Sequence, residues 1–102
     1  MAHFLLKLRP PRTSFISDMT EAEAGLMSEH AAYLRTAQGV LLFGPVVDPA
    51  GAWGLAVVSV QDEDAARAIT AKDPLIRANT GFSYDILPMA SAVTGTAYPA
   101  NP

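Results

Sequence analysis

The chain has 102 residues, half of them hydrophobic, which is enough apolar mass for one core and points to a single domain. It carries no cysteine and two histidines, His3 and His30, so a disulfide framework, a thiolate centre and a thiol nucleophile are excluded, and neither a dedicated metal site nor a cofactor is expected. A formal net charge of −3, with seven scattered basic residues, speaks against a nucleic-acid partner.

Residues His3 to Arg9 read as a strand, with Phe4, Leu6 and Leu8 on one face and His3, Leu5, Lys7 and Arg9 on the other. Pro10 and Pro11 stop it. Thr20 followed by Glu23 has the spacing of a capping box, so a helix is expected to begin at Thr20, with Glu21 and Glu23 favouring its positive end. From Met27, the helical period places His30, Ala31, Leu34 and Gln38 on one stripe, which turns His30 toward the body of the protein. Gly39 suits a left-handed residue after the last turn.

Val40 to Val47 and Gly54 to Val60 are apolar runs joined by Asp48-Pro49-Ala50-Gly51, the pattern of a hairpin. Pro45 has no amide hydrogen to donate, so the first of these strands belongs at a sheet edge or a bulge. Asp62, Glu63 and Asp64 open a second helix running through Lys72. Pro74 holds Asp73 away from helical geometry, and a short turn through Ala78 precedes a last strand, Phe82 to Leu87. The domain is thus expected over residues 1–89, and the small, polar, proline-bearing tail 90–102 is expected to be loosely ordered or draped on a partner.

Strand–helix–strand occurs twice, which predicts an α+β, ferredoxin-like βαββαβ fold: a four-stranded antiparallel sheet with both helices on one face. The opposite face would be wet in such a sheet, yet both alternating sets are apolar in the second and third strands, as in Leu55 and Val57 against Ala56 and Val58. A second copy of the same sheet is the simplest cover, so a homodimer is expected. No apolar run approaches the roughly 20 residues that span a bilayer, and the first residues lack a signal peptide's pattern, so a cytoplasmic protein without a membrane partner is expected.

The topology brings together ends that are distant in sequence. Arg9, the Gly44-Pro45 pair, Asp73 and Phe82 converge at one end of the sheet, with His30 partway along the intervening helix. An inward imidazole with a carboxylate and a cation in reach is an acid/base constellation, because histidine ordinarily titrates near roughly 6.5. The plainer alternatives are a satisfied core histidine, an Asp73 that only caps amides, and an Arg9 that is a solvated charge. Tyr33 is equally a pocket wall or a packing residue, and Trp53 reads as a packing or dimer-contact residue.

Arg9-Pro10-Pro11-Arg12, His30-Ala31-Ala32-Tyr33, Gly44-Pro45-Val46 with Asp48, Gly51 and Gly54, then Asp73-Pro74 and Gly81-Phe82, in this order, resemble the YCII-related (YciI-like) domain. The resemblance covers about residues 3–89. It implies a dimeric α/β barrel of ferredoxin-like subunits and a site in which His30 and Asp73 match the family's histidine and aspartate. One related branch resembles chloromuconolactone dehalogenases, and the fold is shared with muconolactone isomerases. The expected function is therefore acid/base chemistry on a small carbonyl or lactone compound, of lyase, isomerase or dehalogenase type, with Arg9, Tyr33, Pro45 and Phe82 as substrate contacts. The alternative is a non-catalytic module that binds a small-molecule ligand or a partner protein. In the last strand Ser83 departs from the larger, often basic residue of the pattern.

Overall fold

A computed structural model describes residues 1–97. These residues form strands β1 (Ala2–Arg9), β2 (Val40–Val46), β3 (Trp53–Val60) and β4 (Ser83–Met89), with helices α1 (Phe15–Asp18), α2 (Glu21–Thr36), α3 (Glu63–Ala71) and α4 (Pro74–Arg77). The sheet order is β2-β3-β1-β4 and every neighbouring pair is antiparallel, so this is the α+β, ferredoxin-like arrangement. Residues 90–97 carry no helix or strand, and the rest of the expected tail, 98–102, lies outside the described residues. Among the described residues no helix is long and apolar enough to cross a membrane.

Strand alternation separates the two faces of the sheet. Phe4, Leu6 and Leu8 of β1 and Ala56, Val58 and Val60 of β3 are buried under the helices. Fully burying a Phe, Leu or Val side chain contributes about 1.5–3 kcal/mol, so the five larger residues of this layer stabilise the fold substantially. Leu75 of α4, Phe15 of α1 and Phe82 form a second cluster with Leu8. There the Phe15 and Phe82 rings meet edge to face at 5.2 Å. The proline-bearing strand β2 lies at the edge, bonded to β3 alone, and a bulge at Leu41 shifts its register.

Helix α2 begins as its sequence demands. Glu23 N–H donates to Thr20 Oγ1 at 3.1 Å and Thr20 N–H donates to Glu23 Oε1 at 2.8 Å, closing the capping box. His30 and Leu34 are the buried residues of this helix. The helix stops at Thr36, three residues before Gly39, and Gln38 is exposed beyond it. Gly39 does have a positive φ of 97°, but its reason lies in the sheet. A Cβ there would sit 2.9 Å from Ser59 O and from Val60 Cγ1, so the glycine lets the chain enter β2 hard against β3. Two further details differ from the sequence expectation. Residues Phe15–Asp18 form a helical turn where the sequence reading gives no regular element, and Phe82 stands just before the last strand, which runs on through Pro88 to Met89.

Candidate functional site

A cavity of about 270 Å³ lies between helix α2 and strands β2 and β3. Small residues make room for it: Gly44, Gly54 and Ala56 along the sheet and Ala31 on the helix. Phe15, Phe43 and Phe82 give its aromatic walls, and Pro45 lies on the β2 side. Its volume is below the roughly 300–1,000 Å³ of pockets that hold drug-sized ligands, so it suits a small molecule.

His30 and Tyr84 bring polar atoms to this wall. Behind them lies Asp73, with no exposed surface. Asp73 is the N-cap of α4, a role produced by the proline that follows it: extended backbone at Asp73 turns its Oδ1 toward Leu75 N–H, which donates at 2.9 Å. The other oxygen, Oδ2, accepts from His30 Nδ1 at 2.7 Å and from the Tyr84 hydroxyl at 2.6 Å. Burial pushes the Asp73 carboxyl up, but the bonds from His30, Tyr84 and Leu75 outweigh it and hold the group below its ordinary value. The carboxylate is therefore ionised at neutral pH and can only accept, so Nδ1 of His30 carries a hydrogen and Nε2 is the free ring nitrogen. Burial, and then the bond to Asp73, push the Tyr84 hydroxyl well above its usual range, which keeps it a donor.

The sequence-based candidates divide into two groups. His30, Asp73, Pro45 and Phe82 assemble around the cavity, with Asp73 one shell behind its surface. Arg9 does not join them: it follows Leu8 on β1 and so points to the opposite face, where Nε and Nη2 reach Asp85 Oδ2 at 2.8 and 2.7 Å. Tyr33 also lies outside the cavity wall. It donates its hydroxyl to Ile69 O at 2.6 Å and joins α2 to α3, and burial followed by the charge of Asp73 pushes its pKa up.

Tyr84 was not among the candidates, although alternation along the last strand could have found it, since Tyr84 falls on the same face as Phe82. Arg12 is the second omission. Its guanidinium takes Glu23 in a bidentate grip at 2.9 and 2.7 Å and Asp18 Oδ1 at 2.8 Å, and its carbon lies 5.3 Å from the Phe15 ring centroid. This clamp seats α1 and the start of α2 against the end of β1, and thereby positions the Phe15 wall. Trp53 donates Nε1–H to Asp48 Oδ2 at 3.2 Å, and Lys7 lies 4.7 Å from the centre of its ring. Among the described residues no group of three or more His, Cys, Asp and Glu side chains is arranged to hold a metal ion.

Comparison with curated proteins finds no match. The family of the YCII-related domain matches residues 2–90, the whole of the sheet and all four helices described above. That span includes both ends of the His30–Asp73 contact, and the chain accordingly belongs to the YCII-related domain family.

Proposed function

We propose that the chain is a small enzyme in which His30 and Asp73 form an acid/base pair acting on a small carbonyl or lactone compound. The observation that supports it most is the pairing itself: an imidazole on the wall of an apolar cavity, bonded through Nδ1 to a fully buried, ionised carboxylate. In this reading Nε2 of His30 removes a proton from a carbon next to the substrate carbonyl. The imidazolium that results is steadied by Asp73, and the proton returns at another carbon, as in isomerisation, or stays while a leaving group departs, as in elimination. Pro45 and Phe82 serve as walls. This reading gives Arg9 and Tyr33 no part in the chemistry, since Arg9 pairs with Asp85 on the other face of the sheet and Tyr33 bonds to Ile69.

A positioned acid/base group accelerates a reaction by typically 10²–10⁴-fold. In a screen of small lactones and unsaturated carbonyl compounds, His30→Ala is expected to lose turnover by about that factor while ligands still bind. Undiminished turnover in His30→Ala would sink the reading, and binding without turnover by the unaltered protein would favour the accessory module.

The proposal extends to a cytoplasmic homodimer. The face of the sheet away from the helices carries Leu5, Leu42, Leu55, Val57 and Leu87, none of them buried in the single chain. A second copy of this sheet would remove that apolar area from water at roughly 25 cal/mol per Å². Light scattering coupled to size exclusion is expected to give twice the chain mass at micromolar concentration, and Leu5→Asp, at the centre of the face, is expected to give the single mass. A monomeric parent protein would end this part of the proposal.

A further inference from the structure

The polar side chains at the cavity have all committed their hydrogens elsewhere. The Nδ1 hydrogen of His30 and the hydroxyl hydrogen of Tyr84 both go to Asp73 Oδ2, and the indole hydrogen of Trp53 goes to Asp48. With the His30 ring neutral, what it and Tyr84 have left for a ligand is lone pairs, on Nε2 and on the phenol oxygen. No Lys, Arg, Asp or Glu lines the cavity among the described residues. Arg9 is engaged away from it with Asp85 and Arg12 with Asp18 and Glu23, while Lys7 stacks over the ring of Trp53, a residue of the cavity wall, without itself lining the cavity. Even a protonated His30 brings no net charge, because Asp73 already balances it.

We infer that the cavity is selective for uncharged, apolar compounds that present a weakly acidic hydrogen, a phenol or enol O–H or an activated C–H, to Nε2 of His30, and that it rejects carboxylates. A carboxylate would lose its water in an apolar enclosure, find no counter-charge, and set its own lone pairs against those of His30 and Tyr84. An uncharged molecule with a donor hydrogen meets the opposite conditions. This inference rests on the acid/base reading in one respect, the choice of His30 Nε2 as the atom that receives the hydrogen. It narrows the substrate of that reaction to a neutral carbon acid or enol.

Three ligands of one shape test it: p-cresol, with a donor and no charge; p-methylanisole, with neither; and p-toluate, with a charge and no donor. Binding is followed at pH 7.5 through the amide signals of Ala31, Phe43 and Ala56. At this pH the phenol, whose pKa is about 10, is protonated and the carboxylate is ionised. p-Cresol is expected to bind most tightly, p-methylanisole about tenfold more weakly, and p-toluate about 100-fold or more below p-cresol, as an unpaired charge requires. His30→Ala should bring p-cresol down to the level of p-methylanisole and leave p-toluate excluded. Equal or tighter binding of p-toluate, no advantage of p-cresol over p-methylanisole, or no binding of any of the three would each overturn the inference on the unaltered protein alone. The two proposals fail separately. The expected order without turnover of any carbonyl compound would end the acid/base reading and leave the selectivity, whereas His30-dependent turnover with p-toluate preferred would do the reverse.

Discussion

Asp73 and Glu23 are both carboxylates at the start of a helix, both hold their pKa below the ordinary value, and they do so by opposite means. Glu23 is gripped by Arg12, with the Thr20 amide as a second donor, and its pKa falls to about 2. A full positive charge opposes it and water remains close, so the arrangement is a fastening on the surface. Among the described residues no Lys or Arg bonds to Asp73. Burial works against its charge, and it is kept ionised by hydrogen bonds from an imidazole, a phenol and an amide. The contrast shows which acid the fold uses to join segments and which it keeps where its charge can be lent to a neighbouring ring.

The largest effect on stability is therefore expected at Asp73. Asp73→Asn retains an oxygen for Leu75 N–H but turns an amide against the donors of His30 and Tyr84. Leaving buried donors unpaired should cost about 2–4 kcal/mol, read as a lower urea midpoint. A change within error would mean that the buried network bears no weight. Next comes Tyr84→Phe, which removes one of the donors without adding volume. A loss of about 1 kcal/mol is expected, together with an upward move in the Asp73 carboxyl titration followed by carbon-13 NMR. Should that titration stay in place, Tyr84 is only packing.

Acid separates the two carboxylates further. Each has a folded-state pKa below its unfolded value, so each contributes stability that is complete above the unfolded pKa, about 4 for these groups, and is lost as pH falls toward the folded one. For Glu23 that window runs from 4.5 down to about 2. A urea midpoint measured across this range should decline in the parent protein and decline less steeply in Arg12→Ala, where Glu23 has lost the cause of its shift. The smallest effect is that of Arg12→Ala at neutral pH, because its ion pairs are partly exposed. That difference should shrink in molar salt, while the Asp73→Asn difference should not. Equal salt sensitivity of the two would erase the distinction between fastening and buried network.

How far these features could be read from the chain itself follows from the physics of each. Thr20 and Glu23 announce a helix start because the box is local, needing nothing beyond residues three apart. His30 faces inward by periodicity, and the Asp73-Pro74 pair signals a cap, so both members of the buried contact were legible as candidates. That they meet depends on α2 and α4 lying side by side, which the βαββαβ order supplies. Arg9 shares an end of the sheet with them but not a face. The alternation that puts Leu8 inside puts Arg9 outside, because position along a strand and face of the sheet are separate conditions. Tyr33 follows His30 by three residues, which rotates it around the helix far enough to reach α3 instead of the cavity. The partners of Arg12 were beyond reach, since they require the turn at Phe15–Asp18, whose four residues show no period of their own.

The empty space under α2 comes from what the sheet omits. Gly54 leaves little room for a side chain, because a Cβ there would stand 3.1 Å from Leu8 Cβ and Leu8 would have to give way. Ala56 and Ala31 are different: each is a methyl group at the cavity wall, and neither bonds to the acid behind His30. Exchanging one of these methyl groups for an isopropyl would shorten the longest guest the protein can admit while leaving His30, Tyr84 and Asp73 in register. The shape of the cavity and the buried polar network behind it are thereby set by different residues, so that one can be altered without touching the other.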